Sequence, residues 1–271
     1  MTPAHFQRLD ETTPSGTGQM TLRRKVMKTV EMVDRSTMIS QMKAMLEIDP
    51  ARTAIVAVDM HRGHLDPEVA TMPCSREDSE RVVREALILL GFARAHKIPV
   101  IHVVLVYRNI PGMGSEANAR PFFQCVSRIK DETNRSTPGR KALMMEHNIE
   151  GSVQTQIIPQ LYEKGDFIIN NKKRQDCFMG TDLEILLHTL HVDTTVIIGI
   201  NTNTCVLSTA YTANNKDYKV IVVSDCVASM YGEDLHLFAL QNISRCLGWV
   251  LTLEEFKDKV MAASTGTKPH Q

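Results

Sequence analysis

From residue 53 to residue 252, short runs rich in β-branched residues alternate with stretches in which apolar residues recur every three or four positions. Strands that are apolar along their whole length belong to a sheet covered on both faces, and strands separated by helices join parallel neighbours through crossovers. The predicted strands are 53–58 (TAIVAV), 99–106 (PVIHVVLV), 166–170 (DFIIN), 194–200 (TTVIIGI), 219–225 (KVIVVSD) and 249–252 (WVLT). Helical spacing falls at 77–95, 182–190, 204–215 and 233–246. This order predicts an α/β fold, a doubly wound parallel sheet of about six strands with helices on both faces.

The remainder of the chain frames that unit. Residues 1–18 are polar and rich in Thr, Ser, Pro and Gly, the composition of a mobile tail. Residues 19–50 form a helical N-terminal arm: apolar residues recur at 22, 26, 30 and 33, then at 38, 42 and 45–46, giving two amphipathic helices broken near 35–37. Six methionines fall in this arm, which suits an adaptable surface packed on its own domain or on a second subunit. Residues 51–271 then form one domain with an insertion at 109–151, far longer than the usual connection of about 2 to 6 residues. An insertion after a strand end acts as a lid or pocket wall, or else as an oligomer contact.

Thirty-one basic residues balance thirty-one acidic ones, with a pI near 7.1. That removes the basic excess expected of a nucleic-acid or anionic-membrane binder, so neither is predicted as a partner. Little net charge is compatible with a homo-oligomer, a dimer or tetramer. No apolar run reaches the length of a membrane span and the first residues lack a signal peptide's apolar stretch, so the expected compartment is the cytoplasm. The six cysteines are scattered with no CxxC pair and read as reduced thiols, most of them small buried hydrophobes.

In an open α/β sheet, reactive side chains belong at the carboxyl ends of strands. Three strand ends carry them: Asp59 after the first strand, Lys172 after the third, and Cys205 at the start of the helix after the fourth. These are an acid, a base and a thiol. A helix N-terminus and a nearby ammonium both favour a thiolate, so Cys205 is the expected nucleophile, with a lowered pKa. A carboxylate beside it can take the thiol proton and pass it to a leaving amine.

Four ordered motifs extend this trio. They are DM after the first strand; K-x-R-x-x-x-F-x-G-T-D-L from Lys172 through Arg174, Phe178, Gly180, Thr181 and Asp182 to Leu183; G-I-x-T-x-x-C-V-x-x-T-A over 199–210; and SDCVAS over 224–229. Together, over residues 52–254, the chain resembles the isochorismatase-like cysteine hydrolases, in the amidohydrolase branch of ureidoacrylate, N-carbamoylsarcosine, maleamate and biuret hydrolases. The resemblance implies a six-stranded parallel sheet and an Asp59, Lys172, Cys205 triad, with Lys173 as the alternative register. It also implies a cis peptide at Ile200-Asn201 that aims the backbone N–H groups of Asn201 and Cys205 at an oxyanion. Members with Gly in place of the Cys cleave the isochorismate vinyl ether; the Cys here favours hydrolysis of a small linear amide or ureido compound through a thioester. A vinyl-ether hydrolase and a non-catalytic oligomeric binding protein on the same fold are the alternatives. A redox sensor is disfavoured because no second Cys lies within a few residues of Cys205.

The segment DMHRGHLD brings His61 and His64 close to Asp59, a spacing open to a metal. Nicotinamidases of the superfamily use an Asp-x-His after the second strand, and here that strand runs into Val106-Tyr107-Arg108-Asn109, so their motif is absent. His61 and His64 are therefore expected to line the pocket, and no metal or other cofactor is assigned. Arg62, Arg108, Arg120 and Arg174 are candidates to clamp a substrate carboxylate, and Phe122, Phe123 and Phe178 to form an apolar wall. Of these, Arg108, Arg174 and Phe178 are taken with the two histidines as the substrate-binding set.

Overall fold

The computed structural model describes residues 33–129, 132, 135 and 146–264. The predicted tail at 1–18, almost all of the first arm helix at 22–33 and the middle of the insertion lie outside the described residues. The chain divides into two compact units, Met1–Gln41 and Met42–Gln271. Of the first, the described part is 33–41, which holds the opening turns of helix α1 (Ser36–Met45).

The second unit carries six parallel strands, β1 (Thr53–Val58), β2 (Val100–Leu105), β3 (Phe167–Lys172), β4 (Thr194–Ile200), β5 (Lys219–Ala228) and β6 (Trp249–Leu251). Their order in the sheet is β3-β2-β1-β4-β5-β6, and every neighbouring pair is parallel. The chain thus starts in the middle, winds outward through β2 and β3, and returns to wind the other way from β4. The carboxyl ends of β1 and β4, adjacent strands whose connections leave in opposite directions, define the crevice where such sheets bind ligands.

Among the described residues, the other helices of seven residues or more are α2 (Arg76–Ala95), α3 (Pro121–Arg128), α4 (Leu183–Thr189), α5 (Leu207–Asn215), α6 (Glu233–Cys246) and α7 (Leu253–Ser264). Strand residues alternate between two cores, as the period-two pleat requires. Ile55, Ala57, Val196, Ile198, Ile221 and Val223 pack with Leu89 and Leu90 of α2 and Phe256 and Val260 of α7. Ala54, Val56, Val58, Ile197, Val220 and Val222 pack with Leu183 and Leu187 of α4, Ala210 and Ala213 of α5 and Ile243 of α6. Leu89 and Leu90 are fully buried, each contributing about 1.5 to 3 kcal/mol of transfer free energy. Helix α2 starts on a cap in which the Ser75 hydroxyl accepts the Asp78 N–H at 3.0 Å, with Glu77 and Asp78 in the first turn.

The predicted fold class is the one observed, with local differences. Helices α3 and α7 were not anticipated; α3 is short and lies inside the insertion, and α7 follows β6 after a single residue. Strand β5 runs on to Ala228, through an irregularity that places Ile197 opposite Val222 but Gly199 opposite Val227. Strand β3 runs on to Lys172 through a bulge: Val103 pairs with Ile169 and Leu105 with Lys172, one residue more on β3 than on β2. Such a bulge re-aims the chain. Ile169 and Lys172, three positions apart, are both buried while Asn170 and Asn171 are exposed.

Candidate active site

Asp59 follows the last residue of β1 with φ of 53°, a left-handed conformation that Asp tolerates better than most side chains. Its N–H donates to the Val103 carbonyl at 2.8 Å, so the turn away from the sheet is pinned to β2. On the other side runs Gly199 of β4, with φ of 112°. A Cβ at Gly199 would lie 1.9 Å from the Val58 carbonyl oxygen, so only glycine lets β4 pass this close to the base of Asp59.

The bulge in β3 delivers Lys172 to the same place from the far side of β2. Its Nζ donates to Asp59 Oδ2 at 2.6 Å and to Cys205 Sγ at 3.4 Å. Lys172 and Asp59 are wholly buried and Cys205 is 4% exposed. Lys172, the last residue of the strand, is buried, whereas Lys173 lies beyond the strand and is half-buried.

Cys205 stands in a π-helical turn, Thr202–Val206, which leads into α5, where the sequence pattern predicts a regular helix from residue 204. Wide turns of this kind recur at functional positions because they alter which backbone groups remain available. The Asn201 carbonyl accepts the N–H groups of Thr204 and Val206, on either side of the cysteine. Side chains tie the turn to the segment after β5: Asn201 Oδ1 accepts the Met230 N–H at 2.9 Å, and the Ser229 hydroxyl donates to Asn203 Oδ1 at 2.7 Å. The Ile200-Asn201 peptide is cis, at the position the resemblance implied.

The electrostatics correct one expectation. Burial raises the Cys205 thiol to about 12; Lys172 opposes this, and Asp59 adds both its charge and a hydrogen bond that favour the protonated form. Complete desolvation outweighs a single ammonium, so the resting Cys205 sulfur is a thiol and not the lowered-pKa thiolate expected from its helix-terminal position. Burial also opposes the charge on Lys172, but Asp59 and Cys205 together hold its ammonium above the ordinary value. Asp59 Oδ1, the oxygen not engaged by Lys172, is buried and has no hydrogen-bond partner among the described residues.

His61 and His64 lie beside this trio, both buried. His61 caps the short turn Arg62–Leu65 through Nδ1, which accepts the Gly63 N–H at 3.1 Å. Burial, His64, His147 and Lys172 push its imidazole well below the ordinary value, with only the Gln154 carbonyl opposing them. His64 is lowered as well, by burial first and by Lys172, against Asp59 and the Met72 carbonyl. Among the described residues no group of three His, Cys, Asp or Glu side chains is placed to hold a metal ion.

Several residues in this neighbourhood had no forecast. Tyr107, directly after β2, is buried and its phenol is raised to about 12 by burial, with Lys172, Cys205 and Asp59 all acting on it. It stands at a strand end, so the rule that found Asp59 also applies to it. His147 and Asn148 come from the end of the insertion and are buried; the His147 ring lies 5.4 Å from that of His64 and 6.1 Å from that of Tyr107. Nothing in their spacing marks them. Gly63 admits them, since a Cβ there would lie 2.0 Å from Asn148 Oδ1. Cys177 is buried where Lys172, Asp59 and Cys205 all act on its thiol, and its N–H donates to Thr209, whose hydroxyl donates to the Cys205 carbonyl. A second thiol near Cys205 therefore exists in space, although none is near in sequence.

The predicted arginines do not converge. Arg108 is exposed and paired with Glu116 at 3.0 Å, Arg62 is paired with Asp66 at 2.8 Å, and exposed Arg174 donates to the Lys173 carbonyl. Arg120 stacks 4.8 Å over Phe123, and its buried Nη1 has no partner among the described residues. Phe178 is buried in the same core cluster as Cys205 and faces Tyr218 at 6.0 Å, while Phe122 is exposed.

Similar proteins share both the sequence and the architecture. A ureidoacrylate amidohydrolase of Methylobacterium radiotolerans is 28% identical over 218 residues, 78% of this chain and 81% of that one. A maleamate amidohydrolase of Pseudomonas putida is 29% identical over 204 residues, 75% of this chain and 84% of that one. The crystal structure of a cysteine hydrolase from Pseudomonas syringae pv. phaseolicola, 24% identical, matches the fold with a TM-score of 0.65 over 80% of this chain and 96% of that one. The Isochorismatase domain model matches residues 53–255, the span that holds all six strands, Asp59, Lys172 and Cys205, and the chain therefore belongs to the isochorismatase family of hydrolases.

Proposed function

We propose that the protein is a cysteine-dependent amidohydrolase that cleaves a C–N bond of a small linear amide or ureido compound through a thioester. The observation that carries this reading is the buried contact of Lys172 Nζ with both Asp59 Oδ2 and Cys205 Sγ. The names of its amidohydrolase relatives support the substrate class.

In this reading Asp59 is the proton carrier. As Sγ of Cys205 forms a bond to the carbonyl carbon, the thiol proton passes to Asp59; the raised thiol pKa means that the transfer accompanies attack. Backbone N–H groups of Asn201 and Cys205 take the developing oxyanion. The C–N bond then breaks, the proton on Asp59 goes to the departing nitrogen, and ammonia or an amine leaves behind a thioester. Asp59 next takes a proton from water, whose oxygen attacks the thioester carbon, and returning that proton to sulfur releases the acid. Lys172 remains an ammonium throughout and holds the carboxylate in place.

The test is release of ammonia or amine from a panel of small linear amides and ureido compounds. Wild-type protein is expected to release it, and Cys205→Ala to lose at least about a thousandfold in kcat while keeping its fold, in line with removal of a covalent nucleophile. Undiminished turnover in Cys205→Ala overturns the covalent reading, and no release from any C–N substrate overturns the amidase reading.

A further inference from the structure

His61 and His64 are fixed in opposite tautomers. The Gly63 N–H can only donate, so Nδ1 of His61 is the acceptor and the proton of its neutral ring is on Nε2. The Met72 carbonyl can only accept, so Nδ1 of His64 carries the proton, at 3.3 Å, and Nε2 presents a lone pair. Among the described residues neither Nε2 atom, both buried, has a hydrogen-bond partner, and the two ring centroids are 4.8 Å apart. The result is one orphan donor beside one orphan acceptor, two and five residues after Asp59. Unmet polar atoms at full burial are costly, and a cluster of them points to something that binds there.

From this pairing we propose that His61 and His64 read a neutral carboxamide or ureido unit of the substrate, His61 donating to its carbonyl oxygen and His64 accepting from its N–H. The proposal rests on the amidohydrolase reading above. There the oxyanion donors already claim the carbonyl under attack, so the histidines read a second C(=O)–N unit, as in a diamide or an acylurea. A carboxylate in that place satisfies His61 but turns an anion toward the lone pair of His64. Burial and Lys172 both oppose the protonation that would relieve this. Two uncharged rings thus select against an acid end group, a discrimination that leaves buried polar groups unpaired with the wrong ligand.

The ring nitrogens separate structural from recognition roles, so each can be removed alone. In His61→Asn the side-chain oxygen can still cap Gly63, and in His64→Asn the amide can still donate to Met72, while each loses the group at Nε2. Binding is measured by calorimetry on the Cys205→Ala protein, which needs no turnover, with two matched pairs as probes. These are succinamide against succinamate, and N-carbamoylglycinamide against N-carbamoylglycine. The neutral member of each pair is expected to bind about tenfold tighter, and His61→Asn or His64→Asn to remove most of that preference with unchanged thermal unfolding. Equal binding within a pair, binding of neither, or an unaltered preference in both variants overturns the proposal. So does a preference for the carboxylate that disappears in Arg120→Gln, which transfers recognition to the buried Nη1 of that residue. If C–N turnover is absent but the preference is found, the catalytic reading fails and the recognition pair stands; if turnover is present without the preference, the reverse holds.

Discussion

Lys172 and Asp59 form an ion pair with no exposed surface on either side chain, at 2.6 Å. Breaking such a pair on one side leaves a buried charge without compensation, which costs about 3 to 5 kcal/mol. Lys172→Met should therefore lower the urea unfolding free energy by about that amount, whereas Lys172→Met with Asp59→Asn should recover most of it. Both proteins should be inactive. A double variant no more stable than the single one would show that Lys172 stabilises through packing and not through Asp59. The cysteines offer a second contrast. Cys125 and Cys246 are exposed, while Cys205 is buried with its thiol raised to about 12. Iodoacetamide at pH 6.5 followed by peptide mass analysis should modify Cys125 and Cys246 first and leave Cys205 largely unlabelled. Preferential labelling of Cys205 would mean that the resting sulfur is already a thiolate. The position of Cys205 beside Asp59 and Lys172 was legible from a strand end and a helix start; its protonation state was not, because desolvation depends on atoms that sequence does not place.

The site is assembled by irregular places in otherwise regular elements. Strands β1, β4 and the start of β5 could be read from apolar runs, since buried parallel strands leave little room for other residues. The bulge in β3 could not, because it depends on pairing with β2, and without it the inward side chain would be chosen from simple alternation. The same holds for Asn148 and His147, buried residues at the end of the insertion, where Asn148 packs against Gly63. Gly199 shows how tightly two elements are fitted. Its positive φ and the 1.9 Å approach of a Cβ to the Val58 carbonyl both exclude other residues. Gly199→Ala should cost roughly 2 kcal/mol or more, since an unfavourable φ alone costs about 1 to 3 kcal/mol. It should also displace the backbone at Asp59, so activity should fall further than stability explains. Gly91 is the control: it lies within α2 and nothing lies within 4 Å of a Cβ there. Gly91→Ala should hold or raise stability through helix propensity, by up to about 1 kcal/mol. Equal effects at the two glycines in thermal unfolding and turnover would remove the argument from close approach.

Across the whole molecule, burial of titratable groups sets a pH range for stability. His61 and His64 have imidazoles lowered from the ordinary 6.5, so the unfolded chain takes up protons there that the folded chain refuses. Their contribution is present above about pH 6.5 and is lost as pH falls toward their folded values. The thiols of Cys74, Cys177, Cys205 and Cys226 are raised from the ordinary 9.0, all by burial first. Their contribution is present below about pH 9 and is lost as pH rises above it, when unfolded thiols ionise and folded ones do not. Asp66, Asp78, Asp166 and Asp193 are lowered from 3.8 and act only at more acid pH, so they do not mask the imidazole limb. Urea midpoints between pH 5 and pH 10 should accordingly form a plateau from about pH 6.5 to 9 that falls on both sides, with the acid fall shallower in a His61→Asn, His64→Asn double variant. Stability that rises as pH drops from 7 to 5.5 would mean that the rings are charged in the folded state. The same titration bears on recognition, because a proton on Nε2 of His64 removes the acceptor of the proposed pair. Binding of succinamide to the Cys205→Ala protein should then weaken over the pH interval in which the acid limb appears. Succinamate, whose carboxylate a charged imidazole attracts, should gain over the same interval, and affinities that stay parallel for the two ligands would separate the stability of the rings from any part in binding.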